Sequence, residues 1–199
     1  MANGIQAQRF APSRNRTMAF FLGFLRQPSV VASVMPSSRY LARRLADPGL
    51  LARARSVVEL GPGTGVVTRA ILEVLPPDAR LLAIEVNEDF AAMLKAEEDP
   101  RLIAHCGSAA QLREAVALHA LPRPEVVISG IPFSTMQPAL GRHILEQVWS
   151  CLAPRGHFIA YQLRRHVAVL GCDLLGTPAI KLEMRNVPPV RLFGWRKPE

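Results

Sequence analysis

Two glutamates and three glycines carry the first chemical signal in this chain. Glu59 is followed by Gly61, Gly63 and Gly65 at alternate positions, with Pro62 and Thr64 between them, and Glu85 comes twenty residues after Gly65. Glycines so spaced let a backbone turn tightly and approach a ligand closely. An acid at the distance of Glu85 is placed to bond a pair of ribose hydroxyls. The pattern is that of the loop opening a nucleotide-binding βαβ unit. It is not a P-loop, because no Lys-Ser or Lys-Thr follows the glycines. Nor is it the dinucleotide fingerprint, whose last glycine would fall at Val66 and which has no acid where Glu59 stands.

Such a loop needs a strand before it and a helix after it. Val57, Val58 and Leu60 form a short apolar run that predicts a buried parallel strand. From Val66 onward, Val67, Ala70, Ile71, Val74 and Leu75 recur at helical spacing. A second strand from Leu81 to Ile84 then delivers Glu85, completing a βαβ unit. A helix is predicted over 88–98, a third strand over 101–106 ending in Gly107-Ser108-Ala109, and a helix over 111–118. A fourth strand, 125–130, runs into Ile131-Pro132-Phe133. In such a fold its carboxyl end opens on the same crevice as the first strand. Ile144, Leu145, Val148, Trp149 and Leu152 predict a core helix. A fifth strand is expected over 157–163, and a closing pair over 180–187 and 190–195, parted by Pro188-Pro189.

Ahead of the first strand, Pro36-Ser37-Ser38 predicts a helix start, with Tyr40, Leu41 and Leu45 at helical spacing and Pro48-Gly49 as the end. From there Ser37, Ser38 and Tyr40 can reach the crevice; a serine here also serves as a plain helix cap. Arg9, Arg14, Arg16, Arg26, Arg39, Arg43 and Arg44 all precede the first acid, Asp47. Among them Met18, Phe21, Leu22 and Leu25 share one helical face, which Phe20 and Phe24 widen. A basic, aromatic amphipathic helix suits a membrane interface, where each arginine adds roughly 1 kcal/mol near an anionic leaflet. The same stripe serves a helix packed on its own domain; the absence of acids favours the membrane. Residues 1–35 are accordingly read as a membrane-binding segment.

The 199 residues, 49% of them hydrophobic, allow one α/β domain with a substantial core. The net charge of +8 points to an anionic partner, either nucleic acid or a membrane face. Cys106, Cys151 and Cys172 are odd in number and widely spaced, which disfavours a disulfide framework or a zinc site and fits a reducing compartment. No run approaches the ~20 apolar residues of a spanning helix, and the five scattered histidines suggest no metal site.

Glu59-x-Gly-x-Gly-x-Gly with Glu85 resembles motif I and the following acidic motif of class I S-adenosylmethionine (SAM) methyltransferases. Gly130-Ile131-Pro132-Phe133 resembles the amine-holding motif of amino-methyltransferases, which opens on Asn or Asp and closes on an aromatic residue. Together with Phe20-Phe21-Leu22-Gly23-Phe24-Leu25 and Val34-Met35-Pro36-Ser37-Ser38-Arg39, these make the chain, from about residue 14 to 197, similar to the bacterial phospholipid N-methyltransferases of the Sinorhizobium type. The resemblance implies a Rossmann-like α/β domain over 36–199, with a seven-stranded, mostly parallel sheet whose last strand is antiparallel. It implies SAM as cofactor, S-adenosylhomocysteine (SAH) as product, and stepwise N-methylation of phosphatidylethanolamine to phosphatidylcholine. It also implies a peripheral protein at the inner face of the cytoplasmic membrane, held there through residues 14–26, with no nucleic acid as partner.

The resemblance further assigns Glu59, Gly61, Pro62, Gly63, Thr64 and Gly65 to the methionine and sugar of SAM. Glu85, with Val86 beside it, goes to the ribose. Ser108 and Ala109 go to the adenine, where the family often has Gly-Asp-Ala; a serine hydroxyl is the weaker acceptor. Ser37 and Ser38 are assigned to the cofactor side. Gly130, Ile131, Pro132, Phe133 and Tyr40 are assigned to the amine. Gly130 stands where the motif has its amide or acid, so only backbone carbonyls would grip the amine, and Phe133 would offer a ring face to a cationic nitrogen. Water or Tyr40 would take the ammonium proton, and Arg164 or Arg39 the lipid phosphate. The alternative is a ribosomal RNA adenine dimethylase; those enzymes usually keep Asn-Leu-Pro-Tyr in place of Gly-Ile-Pro-Phe and are expected to carry a further helical domain.

Overall fold

The computed structural model of the protein describes residues 37–199; the expected amphipathic segment lies outside the described residues. Seven strands are formed: β1 (Ser56–Leu60), β2 (Arg80–Glu85), β3 (Leu102–Cys106), β4 (Val126–Ser129), β5 (His157–Gln162), β6 (Ala179–Glu183) and β7 (Val190–Arg196). They lie in the order β3-β2-β1-β4-β5-β7-β6. The pairs from β3 to β5 are all parallel, and β7 runs antiparallel to both β5 and β6. β1 lies between β2 and β4, so the strand order reverses there and a crevice opens at the carboxyl ends. Every residue of β1 is buried, which accounts for its unbroken apolar run.

Among the described residues seven α-helices accompany the sheet: α1 (Arg39–Leu45), α2 (Pro48–Leu51), α3 (Val66–Val74), α4 (Glu88–Lys95), α5 (Leu112–Leu118), α6 (Pro138–Cys151) and α7 (His166–Leu175). α1 packs on α3, and α6 packs on α5 and α7. On the α5–α7 side, Val58, Leu60, Leu82, Ile84, Val127 and Phe158 of the sheet meet Leu112, Ile144, Leu145, Val148 and Val167. Burial of aliphatic side chains like these contributes about 1.5–3 kcal/mol each, and this sets the register that the site depends on.

The structure corrects several sequence expectations. Pro48-Gly49 does not close a helix; Pro48 opens α2, capped by Asp47, whose Oδ1 accepts from Gly49 N at 2.9 Å. A proline fits there because its missing N–H would have no partner in a first turn. β6 ends at Glu183 instead of running to 187. The buried Glu183 carboxylate accepts from Arg185 N at 3.0 Å and bends the chain away. α4 stops at Lys95, and a short 3-10 turn, Ala109–Gln111, precedes α5. α7 was not anticipated; it begins without a side-chain cap, so its sequence carries no start signal.

Candidate functional site

β1 and β2 end side by side, with Leu60 in register with Ile84, which brings Glu59 and Glu85 to the same edge. Gly61 N donates to Ile84 O at 2.9 Å, and the chain then turns through Gly61, Gly63 and Gly65 at φ values of 72°, 57° and 77°. A side-chain-bearing residue at such angles would be strained by roughly 1–2 kcal/mol. A Cβ on Gly61 would press on Ile131 Cγ1 at 3.3 Å, whereas one on Gly63 would meet nothing within 4 Å. Gly63 is therefore the point at which the loop faces open space. Pro62 O accepts from Gly65 N at 3.1 Å and Thr64 O from Arg69 Nη2 at 3.1 Å, so both brace the turn.

The two acids are partnered differently. Glu85 is nearly buried; its Oε2 accepts from Gly63 N and its Oε1 from Asn87 N, both at 2.9 Å. Glu59 is 0% exposed, and Thr68 Oγ1 donates to its Oε2 at 2.6 Å. Its Oε1 is buried with no hydrogen-bond partner among the described residues. Burial pushes the Glu59 pKa up to about 7; the Thr68 hydrogen bond and Arg69 act against this, and the Glu85 charge adds to it. A buried acceptor without a donor costs about 1–3 kcal/mol, and it marks the place where a cationic or N–H group of a ligand would be held.

A second group gathers where β4 ends. Ser129 is in register with Ala160 of β5, so the next pair along is Gly130 beside Tyr161. A Cβ on Gly130 would lie 2.7 Å from Tyr161 Cζ, closer still to its Oη, and 3.0 Å from Gly61 O. The tyrosine ring thus occupies the volume that an Asn or Asp side chain would claim. Ser37 makes a side-chain hydrogen bond to the Tyr161 hydroxyl, and burial, with the Glu59 and Glu85 charges, pushes the phenol above its usual range. Tyr161 stays protonated at neutral pH. Gln162 follows it in β5, and its Nε2 donates to Ile131 O at 2.6 Å. Ile131 O also accepts from Phe133 N at 3.0 Å.

Glu59, Gly61, Gly63, Glu85, Gly130, Ile131 and Ser37 are thus brought together around one crevice, and Tyr161 and Gln162 join them unannounced by the sequence. The only signal for Tyr161 was indirect: a glycine where a side chain was expected. The other expected residues have engagements of their own. Ser38 N donates to Asn186 Oδ1 at 2.8 Å, and Ser38 Oγ caps α1 by accepting from Leu41 N at 3.1 Å. Tyr40 lies between the guanidiniums of Arg39 and Arg185, 5.0 and 4.8 Å from its ring centre. Phe133 is 1% exposed and sits in the core, while Pro132 O takes Thr135 N at 3.0 Å. Ser108 Oγ accepts from Ala110 N at 3.2 Å, Ala109 is buried, and Val86 is exposed beside Glu85. Among the described residues no cluster of His, Cys, Asp or Glu is arranged to hold a metal, and no helix is long and apolar enough to cross a membrane.

No protein-family model matches the sequence. The ornithine lipid N-methyltransferase of Singulisphaera acidiphila is 33% identical over 141 residues, covering 69% of this chain and 73% of that enzyme. The chain belongs to its family, among the class I SAM-dependent methyltransferases. A more partial relative of this methyltransferase is the ribosomal RNA small subunit methyltransferase A of Laribacter hongkongensis. It is 31% identical over 143 residues, which cover 67% of this chain and 52% of that protein. The O-methyltransferase TomG from Streptomyces achromogenes, solved in complex with SAM, shares the fold with a TM-score of 0.64 at 15% identity over 82% of each chain. The N-methyltransferase NodS from Bradyrhizobium japonicum WM9 does so with a TM-score of 0.61 at 14% identity, over 81% of this chain and 94% of NodS.

SAM is the cofactor of this methyltransferase, and the residues of the crevice fit it. The unpartnered Glu59 Oε1 is an acceptor for an ammonium group. Gly63 leaves the space that a close ligand needs. Glu85 holds a backbone N–H that ribose hydroxyls can replace. Ser108 accepts with its oxygen and keeps its hydroxyl proton free to donate.

Proposed function

We propose that this methyltransferase acts on the primary amine of phosphatidylethanolamine, stepwise to the mono-, di- and trimethylated lipid, at an anionic membrane surface. The observation that carries the reading is its relative, 33% identical across 73% of an enzyme named for methylating the amine of a lipid. Bound SAM supplies a methyl group already activated by its sulfonium, so the chain has to position and not to activate. Glu59 holds the amino end of the cofactor and Glu85 the ribose. The acceptor amine lies at the mouth formed by Gly130 and Tyr161. Ile131 O is already engaged by Gln162 and Phe133. That leaves Gly130 O and Tyr161 Oη to accept from the N–H groups of the primary and monomethylated amines and to aim the lone pair in the first two transfers; the dimethylated amine has no N–H and is placed by the shape of the mouth. Such positioning supplies ~7–11 kcal/mol in favourable cases. Tyr161 is a poor base because its phenol is pushed upward, so the ammonium proton goes to water. Phe133 supports this loop from the core.

Residues 14–26 supply the hold on the membrane in this reading. Phe21→Asp with Leu25→Asp is expected to release the full-length protein from anionic vesicles; sedimentation with vesicles as in the wild type would remove that segment as the anchor. The reaction is tested with labelled methyl from SAM, vesicles of phosphatidylethanolamine with anionic lipid, and chromatography of the lipids. Label in mono-, di- or trimethylated lipid is expected. The similarity to the Singulisphaera enzyme favours ornithine lipid as a second acceptor, and label in that lipid alone would move the substrate there. Label in RNA and in neither lipid would overturn the lipid reading.

A further inference from the structure

Beyond Gln162 the chain leaves β5 through Leu163, Arg164 and Arg165 and enters α7 at His166. An open cavity of about 620 Å³ lies at this turn, and Arg191 of β7 is among its lining residues. Its walls are of two kinds. Leu163, Val169 and Leu170 are apolar, and Val169 remains 72% exposed. Arg164, Arg165 and Arg191 are cationic, and no acid lines the cavity. Among the described residues no carboxylate pairs with any of the three. The residues before 37 contain no acid that could do so. Arg191 Nη1 donates to Leu163 O at 2.7 Å, which fixes its guanidinium on the turn. α7 has no side-chain cap at Arg165, so the positive end of the helix lies at the same turn. Three uncompensated guanidiniums beside an exposed apolar wall repel one another and stabilise nothing by themselves.

We propose that this cavity binds the anionic group of an amphiphile, with its oxygens on Arg164, Arg165 and Arg191 and the start of its alkyl chain along Leu163, Val169 and Leu170. The assignment rests on reading the enzyme as a lipid-amine methyltransferase, and it chooses among the arginines. Tyr161 and Arg164 are three residues apart, so their Cα atoms lie within ~11 Å. The long arginine side chain can shorten that separation, so in this proposal one head group offers its amine to Gly130 and its anion to Arg164. Arg39, the other candidate, is turned to Tyr40: its Nη2 donates to Tyr40 Oη at 3.0 Å and its guanidinium covers the ring.

The test is calorimetry on the full-length protein with dodecyl phosphate, below its micelle threshold, and with inorganic phosphate. Saturable binding of dodecyl phosphate is expected, weakened about ten-fold or more in Arg164→Gln/Arg165→Gln, as the loss of charge-assisted hydrogen bonds requires. SAH affinity, measured on the same preparations, should not change. Inorganic phosphate should bind at least about ten-fold more weakly than dodecyl phosphate, since it has no chain to bury. Val169→Gln, neutral and at an exposed position, should weaken dodecyl phosphate and leave inorganic phosphate unaffected; it decides the matter if the arginine variant also loses SAH. Equal affinity of wild type and arginine variant for dodecyl phosphate would overturn the proposal. Equal affinity for the two phosphates would do the same, by making this a free-anion site. Binding as expected with no methyl transfer to lipid would overturn the reaction and leave the cavity assignment standing.

Discussion

Glu59→Gln should make the free enzyme more stable at neutral pH and a poorer binder of its cofactor. Glu59 is fully buried, with one oxygen bonded to Thr68 and the other unpartnered, and its pKa is raised from 4.5 to about 7. In the unfolded chain it ionises near its ordinary value. The folded protein therefore holds this proton more tightly than the unfolded chain between pH 4.5 and about 7, and stability falls as pH rises through that window. At about 1.4 kcal/mol per pKa unit, the loss completed above pH 7 is about 3 kcal/mol. Glutamine cannot ionise and escapes it. Urea unfolding of the SAM-free proteins, followed from pH 4.5 to 8, should show the variant gaining about 3 kcal/mol on the wild type across the range. Effects of the mutation that do not depend on pH cancel in that difference. In calorimetry the variant should lose about 1.5–3 kcal/mol of SAH affinity, the range for a hydrogen bond to a charged group. Wild-type affinity should itself fall about ten-fold per unit below pH 7, because the bound form needs the carboxylate. A stability difference that is flat with pH, or SAH binding equal to wild type, would refute the assignment of Glu59 as the buried acceptor for the cofactor's ammonium.

Glu183 should show the opposite slope. Its backbone hydrogen bond to Arg185, then the Arg44 side chain, lower its pKa to about 2, so its contribution is present above pH 4.5 and is lost as pH falls toward 2. Glu183→Gln should remove that acid-side slope, worth about 3 kcal/mol, in the same titration. Gly130→Ala should abolish methyl transfer with SAH binding retained, because the new methyl collides with the Tyr161 ring at 2.7 Å; unchanged kcat would place the amine elsewhere. Tyr161→Phe keeps the ring and should lower kcat/KM by up to about ten-fold, the worth of one neutral hydrogen bond. Gly63→Ala should cost only ~1–2 kcal/mol of stability, from its φ of 57°, yet weaken SAH strongly because its methyl enters open ligand space. Wild-type SAH affinity in that variant would show that the ligand does not pass there.

The crevice was legible in the sequence where chemistry is local. A buried strand, alternate glycines and an acid at each strand end are fixed by residue type and spacing, because a left-handed turn admits little but glycine and a buried strand little but apolar residues. The seven-stranded sheet with its last strand antiparallel was implied by the resemblance to class I methyltransferases; fold logic from the residues placed only the fourth strand beside the first. Elements without such signals were misjudged. α7 has no cap to announce it, and β6 ends where the buried Glu183 meets Arg44 and Arg185, partners of which Arg44 is 139 residues away. Tyr161 was invisible for a related reason. Nothing in its neighbourhood of sequence ties it to Gly130; only the β4–β5 register places its ring in the space that the glycine leaves empty. The cavity of Arg164, Arg165 and Arg191 likewise forms only when β7 inserts beside β5. The sequence alone determined the fold and the cofactor loop, because backbone conformation is written in neighbouring residues. The tertiary structure decided the acceptor side, where residues from separate strands meet and packing sets which of them share a wall.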